Sequence, residues 1–99
     1  MTGWPDTRSI ALTIGTAEQC DIRLVDVYAS PVHAKLTIYA DRTVTIEDCG
    51  STNGTFIMPG LRRVYGAVRC SGTYQIRVGR TELSVIALIE AAARMRGTT

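Results

Sequence analysis

The stretch Gly50-Ser51-Thr52-Asn53-Gly54-Thr55-Phe56 is the most informative part of this chain, together with Ser30-Pro31-Val32-His33 upstream. Asn53-Gly54 is typical of a tight turn, because both residue types tolerate a positive φ. The two hydroxyl residues before it lie beside that turn. Taken alone, the stretch indicates a turn and nothing more, so its meaning depends on the segments around it.

Short β-rich runs separated by turn residues surround these segments from residue 9 to residue 88. Apolar residues alternate in Ser9–Ile14 and again in Val32–Tyr39, a period of two that buries one face of a strand. Asp41-Arg42 predicts a hairpin connection to Thr43–Asp48. Four further strands are predicted at residues 55–58, 64–68, 74–78 and 82–88. This spacing predicts an all-β sandwich or barrel.

The composition changes at Ile89, where strong helix formers begin, and Gly97 is a residue that commonly ends a helix. We therefore expect a flexible N-terminus at residues 1–8, a β domain at residues 9–88, and a short helix and tail at residues 89–99. The apolar residues of that helix either pack on the edge of the sandwich or form a docking surface for another chain.

Length and charge restrict the class of protein. A chain of 99 residues can form one hydrophobic core. Its net charge of +2 is too small to predict a nucleic-acid surface. No apolar run is long enough for a membrane span, and Met1–Asp6 lacks the features of a signal peptide. We therefore expect a cytoplasmic protein without membrane insertion.

Neither the cysteines nor the histidine predict a cofactor. Cys20, Cys49 and Cys70 are odd in number and widely spaced, unlike a disulfide framework or a zinc site. His33 is the only histidine and has no second histidine or paired cysteine with which to share a metal. No nucleophile and base pair is evident. The sequence therefore predicts no metal, no cofactor and no enzymatic activity.

Lys35 is the only lysine among many arginines, which is typical of a GC-rich bacterial coding sequence.

The order and spacing of four segments resemble the forkhead-associated (FHA) family: Ile14-Gly15-Thr16, Cys20-Asp21-Ile22-Arg23-Leu24, Ser30-x-x-His33 and Asp48–Thr55. The resemblance extends from about Leu12 to Val85. It implies an FHA-like β-sandwich of about eleven strands in two sheets. It also implies that the loops at one end bind phosphothreonine in a partner protein, without catalysis.

The resemblance assigns a role to each matching residue. Ser30 corresponds to a serine that binds phosphate, Thr52 to a residue at the phosphate or the threonine methyl group, and Asn53 to one that binds the peptide backbone. The predicted phosphopeptide-binding residues are Ser30, Ser51, Thr52, Asn53 and Thr16. The residues predicted to support the loops are Gly15, His33, Gly50 and Gly54.

Two positions depart from the family pattern. Thr16 stands where the family has an arginine, and Pro31 stands where it often has an asparagine or a basic residue. A guanidinium–phosphate contact is worth roughly 1.5–3 kcal/mol, so its loss predicts binding weaker by about ten- to a hundredfold. Arg23 and Arg62-Arg63 are candidates for a substitute charge, whereas Arg80 is expected to face solvent at a turn.

Two mechanisms remain open from the sequence. In the first, the loops bind phosphothreonine weakly or in an altered way. In the second, the chain is a degenerate FHA scaffold that binds its partners independently of phosphorylation, as a subunit of a larger signalling, secretion or division assembly. Both describe a non-catalytic module for protein–protein interaction.

Overall fold

The structure is a computed structural model and describes residues 9–95 of the chain. The predicted flexible N-terminus at residues 1–8 lies outside the described residues, as do Gly97 and the tail that follows the helix.

The described residues form nine strands and one helix, arranged in two sheets. In chain order the elements are β1 (Ser9–Gly15), β2 (Ile22–Arg23), β3 (Ala34–Tyr39), β4 (Val44–Asp48), β5 (Thr55–Met58), β6 (Arg62–Arg63), β7 (Ala67–Cys70), β8 (Gln75–Val78), β9 (Thr81–Ser84) and α1 (Val85–Met95). One sheet has the order β2-β1-β3-β4-β7 and the other the order β6-β5-β8-β9. All pairs are antiparallel except β1 and β2. The predicted all-β sandwich is confirmed.

The core lies between the two sheets and contains the apolar residues that alternate along the strands. Leu36 and Ile46 from the first sheet are fully buried, as is Ile76 from the second. Burying each such side chain stabilises the fold by about 1.5–3 kcal/mol. The predicted hairpin between β3 and β4 is also present, and Arg42 adopts a positive φ of 69° in its turn. The alternation of apolar residues along the strands therefore determines which face of each sheet lies in the core.

The predicted strand at residues 64–68 is wrong. Gly66 has a φ of 69° and interrupts the extended chain, so β6 ends at Arg63 and β7 begins in the other sheet at Ala67. Val64 is nevertheless buried, and its amide donates to the carbonyl of Thr55 at 2.8 Å. The described residues form nine strands, slightly fewer than the expected number of about eleven.

The helix begins at Val85, earlier than the predicted start at Ile89. Ser84 caps it, because its hydroxyl oxygen accepts a hydrogen bond from the amide of Ala87 at 3.3 Å. Val85, Leu88 and Ala92 then recur at helical spacing and join the core. The predicted strand through Leu88 is therefore too long, and the apolar side of the helix packs on the sandwich. Within residues 9–95 no helix is long and apolar enough to cross a membrane.

Candidate functional site

Four loops meet at one end of the sandwich, at residues 16–21, 24–33, 49–54 and 79–80. We refer to them as the apical loops. The amide of Thr16 donates to the carbonyl of Ser30 at 3.2 Å, and the amide of Thr52 donates to the hydroxyl of Ser30 at 3.2 Å. The fold thus brings together the segments that the sequence singled out.

Gly15 permits the closest approach among these loops. A Cβ atom built on Gly15 would lie 2.1 Å from the carbonyl oxygen of Pro31 and 2.9 Å from that of Ser30. Both are backbone atoms and cannot move aside as a side chain could. The amide of Ala17 also donates to the Pro31 carbonyl at 3.0 Å. Glycine at position 15 is therefore required by packing of the loops, whatever they bind.

His33 is fully buried and connects the 24–33 loop to the 49–54 loop. Its Nδ1 accepts a hydrogen bond from the amide of Ser30 at 3.0 Å, so that nitrogen carries no proton. Its Nε2 lies 2.8 Å from the carbonyl oxygen of Gly54 and therefore donates to it. Both ring nitrogens are used in holding the loops together, which leaves neither for a metal or for catalysis.

Asp48 organises the 49–54 loop, a role that the sequence motifs do not indicate. Its carboxylate accepts from the hydroxyls of Ser51 at 2.5 Å and Thr55 at 2.8 Å, and from the amides of Gly50 and Ser51, each at 3.1 Å. Burial by itself would raise the pKa of this carboxyl, but the hydrogen bonds, led by the Ser51 and Thr55 hydroxyls, lower the pKa below its ordinary value. An aspartate just before a Gly-Ser turn was the available sequence signal.

The hydroxyl of Ser51 is occupied inside this loop. It donates to Asp48 and accepts from the amide of Gly54 at 2.9 Å. Gly50 and Gly54 have φ values of 75° and 88°, a conformation that glycine adopts without strain. Ser51 was predicted to contact a phosphopeptide, whereas its hydrogen bonds place it among the residues that shape the loop.

Ser30 and Thr52 present hydroxyl groups at the rim of the loops. The Ser30 oxygen accepts from the Thr52 amide, and within residues 9–95 its proton has no acceptor. The Thr52 hydroxyl has no hydrogen-bond partner in that range and its side chain is exposed. Thr16 lies next to them, half-buried and joined to Ser30 through its amide. These hydroxyls are available to an incoming acceptor.

Asn53 follows Thr52 and connects the 49–54 loop to Tyr28 in the 24–33 loop. Its side-chain amide donates to the carbonyl of Tyr28 at 2.8 Å, while its side-chain oxygen has no partner within the described part of the chain. The Tyr28 ring carries the guanidinium of Arg80, whose central carbon is 4.3 Å from the ring centre. Arg80 was expected to face solvent at a turn; it is exposed but also stacks on this loop.

Asp26 fastens the loop that carries Tyr28, a second role that the sequence reasoning missed. Its carboxylate accepts from the Thr81 hydroxyl at 2.7 Å and from the amides of Tyr28 and Arg80, each at 2.8 Å. The Thr81 hydrogen bond is the main reason that the pKa of Asp26 is lowered. Asp26 thus connects the 24–33 loop to the turn between β8 and β9.

Three arginines border the apical loops, at positions 23, 63 and 80. Arg23 donates from Nε to the carbonyl of Thr16 at 3.3 Å. Arg63 covers Gly54, since a Cβ atom built on that glycine would lie 2.9 Å from the Arg63 Nε. Among residues 9–95 none of the three has a carboxylate within ion-pair distance. Their guanidinium groups place positive charge at this end of the sandwich, beside the carboxylates of Asp26 and Asp48 that hold the loops.

Metal-ligating side chains do not cluster at the apical loops among the described residues. No group of three histidine, cysteine or acidic side chains converges there. Cys49 is the first residue of the 49–54 loop and is exposed, but partial burial of its thiol raises the pKa above the ordinary value of 9.0, and the charges of Glu47 and Asp48 raise it further. The thiol therefore stays protonated near neutral pH and is a poor nucleophile.

Comparison with known proteins agrees with this geometry. The model of the FHA domain family matches residues 12–81. FhaB of Mycobacterium tuberculosis, an FHA domain-containing protein, is 36% identical over 72 residues, which are 73% of this chain and 44% of FhaB. The chain therefore spans less than half the length of that relative.

Solved structures show the same fold. The FHA domain of CT664 from Chlamydia trachomatis has a TM-score of 0.67 and 32% identity, over 74% of this chain and 71% of that one. The N-terminal FHA domain of Rad53p from S. cerevisiae, solved with a phosphothreonine peptide, has a TM-score of 0.59 and 26% identity, over 71% and 56%. FHA domains are non-catalytic modules for protein–protein interaction. The sequence motifs, the two-sheet fold and the family match together show that this chain belongs to the FHA domain family.

Proposed function

We propose that the apical loops bind a phosphothreonine-containing segment of a partner protein, more weakly than a site with arginine at position 16 would. The observation that carries the proposal is the hydrogen bond from the Thr52 amide to the Ser30 hydroxyl. It holds the Thr52 backbone against the Ser30 hydroxyl, and within residues 9–95 the hydroxyl protons of Ser30 and Thr52 have no acceptor.

A phosphothreonine is a suitable ligand for this arrangement. It carries a charge of about −1.5 to −2 and three acceptor oxygens, so its receptor needs converging donors in a positive field. Ser30 and Thr52 supply the hydroxyls, and the three arginines at the loops supply the cationic donors. The phosphothreonine peptide bound by the FHA domain of Rad53p supports the same ligand class.

Asn53 is proposed to fix the position of the bound segment. Its side-chain oxygen is available to a peptide amide, while its side-chain nitrogen is held by the Tyr28 carbonyl at 2.8 Å. Because the side chain is already oriented by that contact, little conformational entropy is lost when a peptide binds.

A second candidate function is binding that does not depend on phosphorylation. Val25 and Val27 favour it, because their relative exposures are 103% and 92% and both lie in the 24–33 loop. Pro31 has no amide proton to offer a phosphate. Apolar contacts to these valines would be equally available to an unmodified partner.

Calorimetric titration separates the two functions. The probe is a peptide library with a fixed central phosphothreonine and randomised flanks, compared with the same library carrying threonine or phosphoserine. We expect binding of the phosphothreonine library and weaker or no binding of the other two. Equal affinity for the threonine and phosphothreonine libraries would instead establish phosphorylation-independent binding.

Two variants test the residues. Ser30→Ala removes a hydroxyl contact to a charged ligand and should weaken phosphothreonine binding by about tenfold, since such a contact is worth about 1.5 kcal/mol or more. Ser71→Ala is the matched control, because Ser71 lies in the turn between β7 and β8 at the opposite end of the sandwich. Unchanged affinity in Ser30→Ala would remove Ser30 from the site.

A further inference from the structure

We propose that Arg23 supplies the positive charge that Thr16 lacks, so that the phosphate is bound by a guanidinium from β2. The inference rests on the proposed phosphothreonine binding and names the residue that makes it possible. In the family pattern this charge follows Gly15 directly, whereas here it would reach the same place from the neighbouring strand.

The pairing of the two strands brings Arg23 to that place. β2 runs parallel to β1, with Gly15 opposite Arg23. The Arg23 Nε then donates to the carbonyl of Thr16 at 3.3 Å. The guanidinium is therefore in contact with the backbone of the residue that replaces the family arginine.

Arg23 is also close to the hydroxyls of the site through a short series of contacts. The amide of Thr16 donates to the carbonyl of Ser30 at 3.2 Å, and the hydroxyl of Ser30 accepts from the amide of Thr52 at 3.2 Å. A guanidinium has five N–H donors, of which the Thr16 carbonyl uses the one on Nε. Within residues 9–95 the donors on the two Nη atoms have no acceptor, and the side chain is exposed. They are available to phosphate oxygens.

The other two arginines lie on the Asn53 side of the site. Arg63 covers Gly54, and its guanidinium carbon is 5.4 Å from the ring centre of Tyr65. Arg80 stacks on Tyr28. Within residues 9–95 neither makes a hydrogen bond with Thr16 or Ser30, so Arg23 is the arginine placed to bind phosphate beside the Ser30 hydroxyl.

A double-mutant cycle between positions 16 and 23 tests the inference. The four proteins are the wild type, Arg23→Ala, Thr16→Arg and the double variant, each titrated with the phosphothreonine library. Arg23→Ala should weaken binding by about tenfold. Thr16→Arg should restore about tenfold in the Arg23→Ala background but add less than about threefold to the wild type, because both guanidinium groups would serve one phosphate.

The same titrations include a control variant and results that would contradict the role of Arg23. Arg94→Ala removes one positive charge from an exposed position on α1 and should leave affinity unchanged. If Arg23→Ala binds the library within twofold of the wild type, or Thr16→Arg gains equally in both backgrounds, Arg23 is not the phosphate ligand. In that case phosphate-dependent binding by the wild type would still support the proposed function. If the wild type does not distinguish the phosphorylated library from the threonine library, the proposed function fails and this inference fails with it.

A spectroscopic measurement tests the contact directly. The ¹⁵N–¹H resonance of the Arg23 Nε should shift when O-phosphothreonine is added to the wild type, and that of Arg94 should not. An Arg23 resonance that does not move at saturating ligand would overturn the assignment, even if affinity had fallen for another reason.

Discussion

Replacing His33 by alanine should destabilise the domain and also separate its apical loops. The ring is fully buried and makes two hydrogen bonds, one from the amide of Ser30 at 3.0 Å and one to the carbonyl of Gly54 at 2.8 Å. Its removal leaves a cavity and two backbone groups without partners. Large-to-small changes in a core cost about 2–5 kcal/mol, and each orphaned polar group about 1–3 kcal/mol when water cannot reach it.

We expect His33→Ala to lose about 3–5 kcal/mol, a large part of the 5–15 kcal/mol that typically stabilises a domain. In urea denaturation with a slope near 2 kcal/mol per molar, the midpoint should fall by about 2 M. A loss below about 0.5 kcal/mol would refute the reasoning, because the buried contacts would then contribute nothing measurable.

Two further variants at this position separate the hydrogen bonds from the cavity. Asparagine can place an oxygen near the position of Nδ1 and accept from Ser30, and glutamine can place an amide near Nε2 and donate to Gly54. Both should be more stable than His33→Ala, and amide hydrogen exchange at Ser30 should be slower in His33→Asn than in His33→Gln. Equal stability of all three variants would show that packing alone explains the loss.

Two other predictions concern the residues that shape the loops. Gly15→Ala places a Cβ atom 2.1 Å from the Pro31 carbonyl, so we expect a loss of at least about 2 kcal/mol in thermal unfolding, and an unchanged melting temperature would show that the loops move apart easily. The Asp48 carboxylate accepts hydrogen bonds from two hydroxyls and two backbone amides. Asp48→Asn replaces one of its acceptor oxygens by an NH₂ donor, so we expect the domain to lose about 1–3 kcal/mol of stability at neutral pH. Because the pKa of Asp48 is lowered in the folded protein, its stabilisation is present above the ordinary value of 3.8 and is lost as the pH falls through the lowered value. The gap in stability between wild type and Asp48→Asn should therefore narrow as the pH falls below 3.8 in acid denaturation, and a gap that does not change with pH would contradict this origin.

The fold was predictable because its signals are local and repeated. Alternating apolar residues in β1 and β3 define one buried face each, and the core follows from them. The misplaced helix start shows the limit of that signal. The run from Val85 to Leu88 suits a strand and a helix equally, and the cap from Ser84 decides in favour of the helix.

The site was predictable in its motifs but not in its contacts. Ser30, Thr52 and Asn53 are proposed from their order along the chain, whereas the roles of Asp48 and Asp26 depend on which donors the fold brings to them. Asp26 accepts from Arg80 and Thr81, which lie 54 and 55 residues further along the chain. No spacing rule within one segment indicates such a contact.

The hydrogen bonds divide the motif residues into two groups with different consequences for function. One group holds the loops together through close packing at Gly15 and through the hydrogen bonds of His33 and Ser51. The presence of these residues therefore indicates the architecture of the loops and not the ligand. Ser30 and Thr52 keep donors for an acceptor from outside, and these neutral groups alone bind a dianion weakly. Under the proposed function, the affinity for phosphothreonine therefore depends on the nearest guanidinium. Since Thr16 supplies none, we propose that phosphate-dependent binding by this FHA domain depends on Arg23, which is held at the Thr16 carbonyl.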